Sequence, residues 1–298
     1  MTRTLTFGLS LTILLFGFTQ VPVKKIHEER ENIIFALLDD GTVIEPLARM
    51  ENGALVPAVT GSEEADQMRE FARIYYTPKT SYSLIYGGKA GGAVSVKRSN
   101  IGTECGGATA EVVSSGAKAN LKGFEMALAT NINPAKPASG TRRAATAAEK
   151  AAIEKLVSSE FRKNKSSLKG MKAARLTAVD ANNDKKLEFI GTYIVSPSPQ
   201  ERGLLFFIAV KSATGTYTIS YSSYNQVKKD DVMSGDLADV ESGTYQEMLL
   251  DLLDTDNDGV AEVFTVRRSF EGISFSAYSW NGQEWSSILD VSNYHCAY

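Results

Sequence analysis

The sequence predicts a mainly β protein of the α+β class. A small β-meander domain with a short helix comes first, then a linker and a helix leading into a repeat domain of two four-stranded antiparallel units. Three observations predict this. Short apolar runs alternate with Asp-Gly and Asn-Gly turns from Ile33 onward; proline and small residues crowd Asn133 to Ala148; and two acidic loops, each between strand-like apolar runs, recur at an offset of 74 residues. Hydrophobic residues make up 43% and charged residues 22% of the 298, a composition that builds cores rather than a disordered chain. That length makes two domains the starting expectation, placed at 33–131 and 149–298 with a linker at 132–148.

Residues 1–19 read as a signal peptide: Arg3 precedes fourteen mainly apolar residues, Leu5 to Phe18, and the small Gly17 and Thr19 stand before Gln20. Fourteen residues fall short of the ~20 a spanning helix needs, and no second long apolar run follows. The expectation is therefore a secreted or periplasmic protein with no membrane span after signal removal. A formal charge of −3 without a Lys/Arg stripe gives no attraction for nucleic acid. In an oxidising compartment Cys105 and Cys296 are a candidate disulfide tying the C-terminus to the first domain, the alternative being two separate thiols.

In the first domain, Ile33 to Leu38, Val43 to Met50 and Ala54 to Val59 are joined by Asp39-Asp40-Gly41 and Glu51-Asn52-Gly53, the pattern of a three-stranded meander. Ser62 is placed to cap a helix whose Ala65, Met68, Phe71, Ala72 and Tyr75 share a face, with Pro78 beyond its end. Further strands are expected at Tyr82 to Tyr86, Ala93 to Lys97, Ala108 to Val113 and Phe124 to Ala129. Gly87-Gly88-Lys89-Ala90-Gly91-Gly92 lacks the Lys-Ser/Thr ending and following helix of a phosphate loop, so it is read as a flexible turn. After the linker, Thr146 and Glu149 have capping-box spacing, and Ile153, Leu156, Val157 and Phe161 form the apolar face of a helix.

The two loops carry the chemistry. Asp254-Thr255-Asp256-Asn257-Asp258-Gly259-Val260-Ala261-Glu262 puts side-chain oxygens at alternate positions, a glycine at the bend and a carboxylate at the ninth place, an arrangement that wraps a hard cation such as Ca²⁺. Asp180-Ala181-Asn182-Asn183-Asp184-Lys185-Lys186-Leu187-Glu188 repeats it with changes. The twelfth positions, Gly191 and Thr265, are not acidic, which argues against a helix-loop-helix calcium hand. Hairpins follow both loops, at Gly203 to Lys211 with Thr216 to Tyr224, and at Ile273 to Trp280 with Glu284 to Leu289.

From Met171 to Val291 the chain resembles the FG-GAP and VCBS-type repeats of extracellular β-propellers, whose strand-loop-strand units carry Asp-x-Asp-x-Asp-Gly-x-x-Asp/Glu calcium loops. Tyr278-Ser279-Trp280-Asn281-Gly282-Gln283-Glu284-Trp285 is similar to the aromatic hairpin closing such a unit. The resemblance implies propeller-blade-like units. It assigns Asp254, Asp256, Asp258 and Glu262 as side-chain ligands of Ca²⁺ and Val260 as a carbonyl ligand; in the first loop the matching residues are Asp180, Asn182, Asp184, Lys186 through its carbonyl, and Glu188. There Lys185 replaces the glycine and only three carboxylates face two lysines, so weaker or no binding is expected. Two units do not close a ring of four to eight blades. A stack of two sheets, one eight-stranded sheet or sandwich, and part of an oligomeric ring all remain open.

Parts for catalysis are scarce. The histidines are His27 and His295, and neither belongs to a nucleophile or zinc motif; a His295–Cys296 pair competes with a tail packed by a disulfide. Acidic pairs for glycoside chemistry are not singled out. Trp280 and Trp285 either offer stacking faces for a glycan or pin the last hairpin as a cross-strand pair, the latter favoured. The expected role is a non-enzymatic, calcium-stabilised binding or adhesion-type module whose partner is an extracellular or envelope protein or a glycan. The alternative is a carbohydrate-binding or glycoside-processing protein using an aromatic and acidic face.

Overall fold

The computed structural model describes residues 30–59, 65–103, 107–118, 121–122, 125–134, 138, 142–212, 214–231, 245–269 and 272–295. The expected signal peptide, the Ser62 cap, Cys105 and Cys296 lie outside them.

The expected meander is present as β1 (Ile33–Leu38), β2 (Val43–Glu51) and β3 (Ala54–Pro57). Asn52 and Gly53 both take positive φ, as a two-residue turn matched to strand twist requires. The meander is part of something larger. With β4 (Ser81–Tyr86), β5 (Lys89–Ser99), β6 (Ala110–Ser115) and β7 (Ala127–Thr130), the order β1-β7-β4-β5-β6-β2-β3 returns on itself through β1–β2 pairing. Six strands thus form a closed barrel, which removes the edges an open sheet exposes. The helix α1 (Ala65–Tyr75) packs Phe71 and Tyr75 edge-on against Phe35, in one cluster with Tyr82 and the inward-facing Ile33, Leu84, Val94 and Ala129.

The glycine segment differs from the expected flexible turn. Gly87 and Gly88 make the turn, whereas Lys89 onward is strand β5. Glycine is required at position 92 because an added Cβ would sit 2.0 Å from the Ser115 carbonyl oxygen.

β8 (Arg142–Ala144), β9 (Lys172–Val179), β10 (Glu188–Ser198), β11 (Glu201–Lys211) and β12 (Tyr217–Lys228) form a five-stranded antiparallel sheet in the order β12-β11-β10-β9-β8. β13 (Met248–Leu253), β14 (Glu262–Ser269), β15 (Gly272–Trp280) and β16 (Trp285–Tyr294) form a four-stranded one in sequence order. The helix α2 (Ala147–Lys163) begins at the expected capping box, Thr146 Oγ1 accepting from Glu149 N while Glu149 Oε2 accepts from Thr146 N. Its buried Ile153, Val157 and Phe161 pack on Phe189, Tyr193 and Phe207 of the five-stranded sheet.

Four layers result: barrel, four-stranded sheet, five-stranded sheet, α2. β1 is buried on both faces because its alternate residues Ile34, Ala36 and Leu38 leave the barrel interior and join Phe264, Val266 and Phe275 of the four-stranded sheet. Leu252, Val263 and Tyr278, on that sheet's other side, meet Ile190, Phe206 and Ile208. The core is therefore continuous across the expected linker, and 142–144 within it is strand β8, paired with Ala178 and its neighbours. Low apolar content hid that strand, since its anchor is an arginine.

Candidate metal centre

The loop 254–262 joins β13 to β14 and is built from stacked side-chain-to-backbone turns, the local bonding that aspartate and asparagine favour. Asp256 Oδ1 accepts from Asp258 N at 3.1 Å, Asp258 Oδ1 from Val260 N at 2.6 Å, and Asp254 Oδ2 from Gly259 N at 3.0 Å. Each bond fixes one oxygen of a carboxylate and leaves its other oxygen turned elsewhere. Asn257 and Gly259 supply the positive φ values, 64° and 96°, that coil the chain round the three acids. Oxygens of Asp254, Asp256 and Asp258 consequently lie within 4.8 Å of one another.

Three like charges this close repel unless a cation joins them. Asp254 is 1% exposed, and its Oδ1 is buried with no hydrogen-bond partner. Burial raises its pKa, with the Asp258 and Asp256 charges adding to the rise against the amides of Gly259 and Asn257. A buried, unpartnered carboxylate oxygen beside two further acids fits a hard divalent ion bound by oxygen. The expected ninth ligand, Glu262, is 5% exposed, and its Oε2 accepts from Thr255 N at 3.0 Å and Thr255 Oγ1 at 2.7 Å. It closes the loop on its second residue, and burial pushes its pKa up to about 7. Val260 closes the last of the stacked turns with its N–H, two residues before β14 begins.

The loop 180–188 joins β9 to β10 on the same plan. Asn182 Oδ1 accepts from Asp184 N, Asp184 Oδ1 from Lys186 N, and Glu188 Oε2 from Ala181 N at 2.8 Å. Asn183 and Lys185 take the left-handed conformation at the places of Asn257 and Gly259. Asp180 Oδ1 is also buried without a partner. The remaining acid differs: Lys186 Nζ stands 3.4 Å from Asp184 Oδ2. A lysine ammonium thus occupies the side where a metal ligand would be needed, and no cluster of three acids forms here among the described residues. The two loops touch, Ala261 N donating to Ala181 O at 2.9 Å.

One turn before the acidic loop, Asp251 is the sole charged residue in Met248–Leu253 and is fully buried. A bulge between Leu249 and Asp251 aims it at the barrel, where Gly87 N and Gly88 N donate to its carboxylate, with Arg142 Nη1 3.4 Å from Oδ2. The consecutive glycine amides therefore do cradle an anion, one supplied by the chain itself. Arg142 also donates to the carbonyls of Met126 and Leu250 and lies over the Tyr86 ring. Burial pushes Asp251 up to about 6, with Arg142 and the amides opposing.

The other candidates separate. Trp280 and Trp285 face each other across β15–β16 with ring centroids 5.8 Å apart, and Trp285 is 2% exposed, so they pin the hairpin rather than form an open platform. His295 Nε2 lies 2.8 Å from Oε1 of the buried Glu45, which also accepts from Asn293 Nδ2. That bond raises the histidine pKa and ties the end of β16 to the barrel. Sequence reasoning missed Asp251, Arg142 and Glu45. A single charge inside an otherwise apolar strand was the available signal for the first.

Comparisons with protein families, with curated proteins and with solved structures found no match to this chain.

Proposed function

We propose that 254–262 holds one Ca²⁺ and that the protein is an exported, non-enzymatic binding or adhesion-type module, its β9–β16 part being two FG-GAP/VCBS-like, propeller-blade-like units stiffened by that ion. The observation that carries the metal reading is the buried Asp254 Oδ1, unpartnered and within 4.8 Å of ligand oxygens of Asp256 and Asp258. An all-oxygen donor set favours Ca²⁺ over thiolate- or imidazole-seeking metals, and the remaining coordination falls to the Val260 carbonyl and water. Because both loops meet through Ala261 and Ala181, fixing one fixes the junction of the two sheets.

Binding to the folded state alone stabilises by about 2.7 kcal/mol at a hundred times the dissociation constant. Thermal unfolding of the mature chain in Ca²⁺ and in chelator tests the reading. The expected outcome is a midpoint that rises with calcium in the native protein and is calcium-independent in Asp256→Asn; equal midpoints in the native protein at millimolar calcium would refute it.

A further inference from the structure

Between the two sheets, the packed face of β13–β16 is apolar over only part of its length. Leu249, Leu252, Val263 and Trp285 meet the five-stranded sheet, but further along the same face the strands present Arg267, Ser274, Ser276, Asp290 and Ser292. Their alternate neighbours Val266, Ile273 and Phe275 face the barrel core, so strand alternation puts the polar set on the opposite face, with Ser274 and Ser276 half-buried and Arg267, Asp290 and Ser292 open to solvent. With Tyr221 and Ser223 of β12 and Glu247 before β13, they line a cleft of about 340 Å³. That volume lies in the range of small-molecule sites, about 300–1,000 Å³.

The polar groups are held in place. Asp290 accepts from Ser276 Oγ at 2.6 Å and Ser287 Oγ at 3.0 Å, and the hydroxyls of Ser274 and Ser292 lie 2.9 Å apart. Glu247 Oε1 accepts from Thr265 Oγ1 at 2.6 Å and Tyr278 OH at 2.7 Å, while Thr192 Oγ1 donates to its main-chain oxygen. The Tyr221 ring packs on Tyr278 with centroids 4.8 Å apart and stays part-exposed, leaving a flat apolar surface beside the hydroxyls. Side chains held by their own bonds keep their donors and acceptors in place at the open mouth of the cleft.

We propose that this cleft binds an uncharged carbohydrate of one or two sugar rings, its hydroxyls paired with Asp290, Ser276 and Arg267 and its C–H face against Tyr221. The charges favour a neutral ligand. Arg267 balances Asp290, and burial of Glu247 raises its pKa, with the Asp290 charge adding and the Thr265, Tyr278 and Arg267 contacts opposing. An anion would meet both carboxylates, and an apolar ligand would strand the hydroxyls. The site shares no residue with the acidic loops, so loss of sugar binding and loss of calcium binding are read separately.

Calorimetric titration of the mature chain, in calcium and in chelator, with maltose, cellobiose, lactose and N,N′-diacetylchitobiose tests the proposal. Saturable one-to-one binding of at least one sugar is expected, weakened at least about tenfold by Asp290→Asn and by Ser276→Ala, with unfolding midpoints unchanged. No binding of any of the four at millimolar concentration, binding that both substitutions leave intact, or preferential binding of inorganic phosphate would overturn it.

Discussion

The loops 180–188 and 254–262 have one conformation and unequal chemistry. Both stack side-chain-to-backbone turns, both place left-handed residues at their fourth and sixth positions, and both close through a ninth-position glutamate on the second residue's amide. The loops differ at five places, Ala181 for Thr255, Asn182 for Asp256, Lys185 for Gly259, Lys186 for Val260 and Leu187 for Ala261, and of these Asn182, Lys185 and Lys186 change the charge or the bend. The shape of such a loop thus follows from its backbone bonds, which both versions keep. The proposed difference in competence for an ion rests on charge at the mouth, where Lys186 pairs with Asp184 in the first loop. The repeats also differ in anchorage, since the place of the buried Asp251 is taken in the first by Thr177 of β9, away from the barrel.

The anchor gives the widest contrast. Asp251→Ala leaves Arg142 and two glycine amides without their buried acceptor and is expected to cost about 3–5 kcal/mol in urea unfolding. Thr177→Ala, at the matching position, is expected to cost about 1 kcal/mol or less. Equal losses would mean that the clasp is not what distinguishes the repeats.

Acid sensitivity separates the loops from ordinary surface acids. Burial, with the Asp184 and Asp180 charges adding and the amides of Ala181 and Asn182 opposing, pushes Glu188 up to about 8. A carboxyl whose folded pKa exceeds its unfolded value of 4.5 favours folding while protonated. Its contribution is full below pH 4.5 and is lost as pH rises through about 8. Stability of the metal-free protein is therefore expected to fall over that window, by at most about 1.4 kcal/mol per pH unit from this group. Glu188→Gln should flatten the slope in chelator; an unchanged slope would remove Glu188 as its source.

The finest contrast lies at the bend. Lys185 holds φ at 68° where the second loop has glycine, so Lys185→Gly relieves left-handed strain and is expected to stabilise by about 1 kcal/mol, less the entropy glycine adds to the unfolded chain. Combined with Asn182→Asp and Lys186→Val, it should give the first loop a calcium response of its own, read as a second binding event. A triple variant that still binds one ion would show that more than these three residues separates the loops.

Much of this was legible in the sequence because it is local. The Asn52-Gly53 turn, the Thr146–Glu149 cap and the acidic loops each declare themselves within a few residues. Barrel closure was not legible: β1 pairs with both β2 and β7, and the second partner lies about a hundred residues on, chosen by packing on both faces of Ile33–Leu38. The clasp was hidden for the same reason, since Gly87, Arg142 and Asp251 are meaningful only together. The polar cleft escaped notice because its serines alternate with core residues as on any strand with one open face, and only the placing of Tyr221 and Ser223 opposite them makes a cleft.

The central claim is that one loop of the two takes a cation. Calcium bound per chain, measured by equilibrium dialysis on the native protein and on Asp256→Asn, tests it most directly. The account predicts one ion per chain in the native protein and none in the variant. Zero or two ions in the native protein, or one retained by Asp256→Asn, would contradict it.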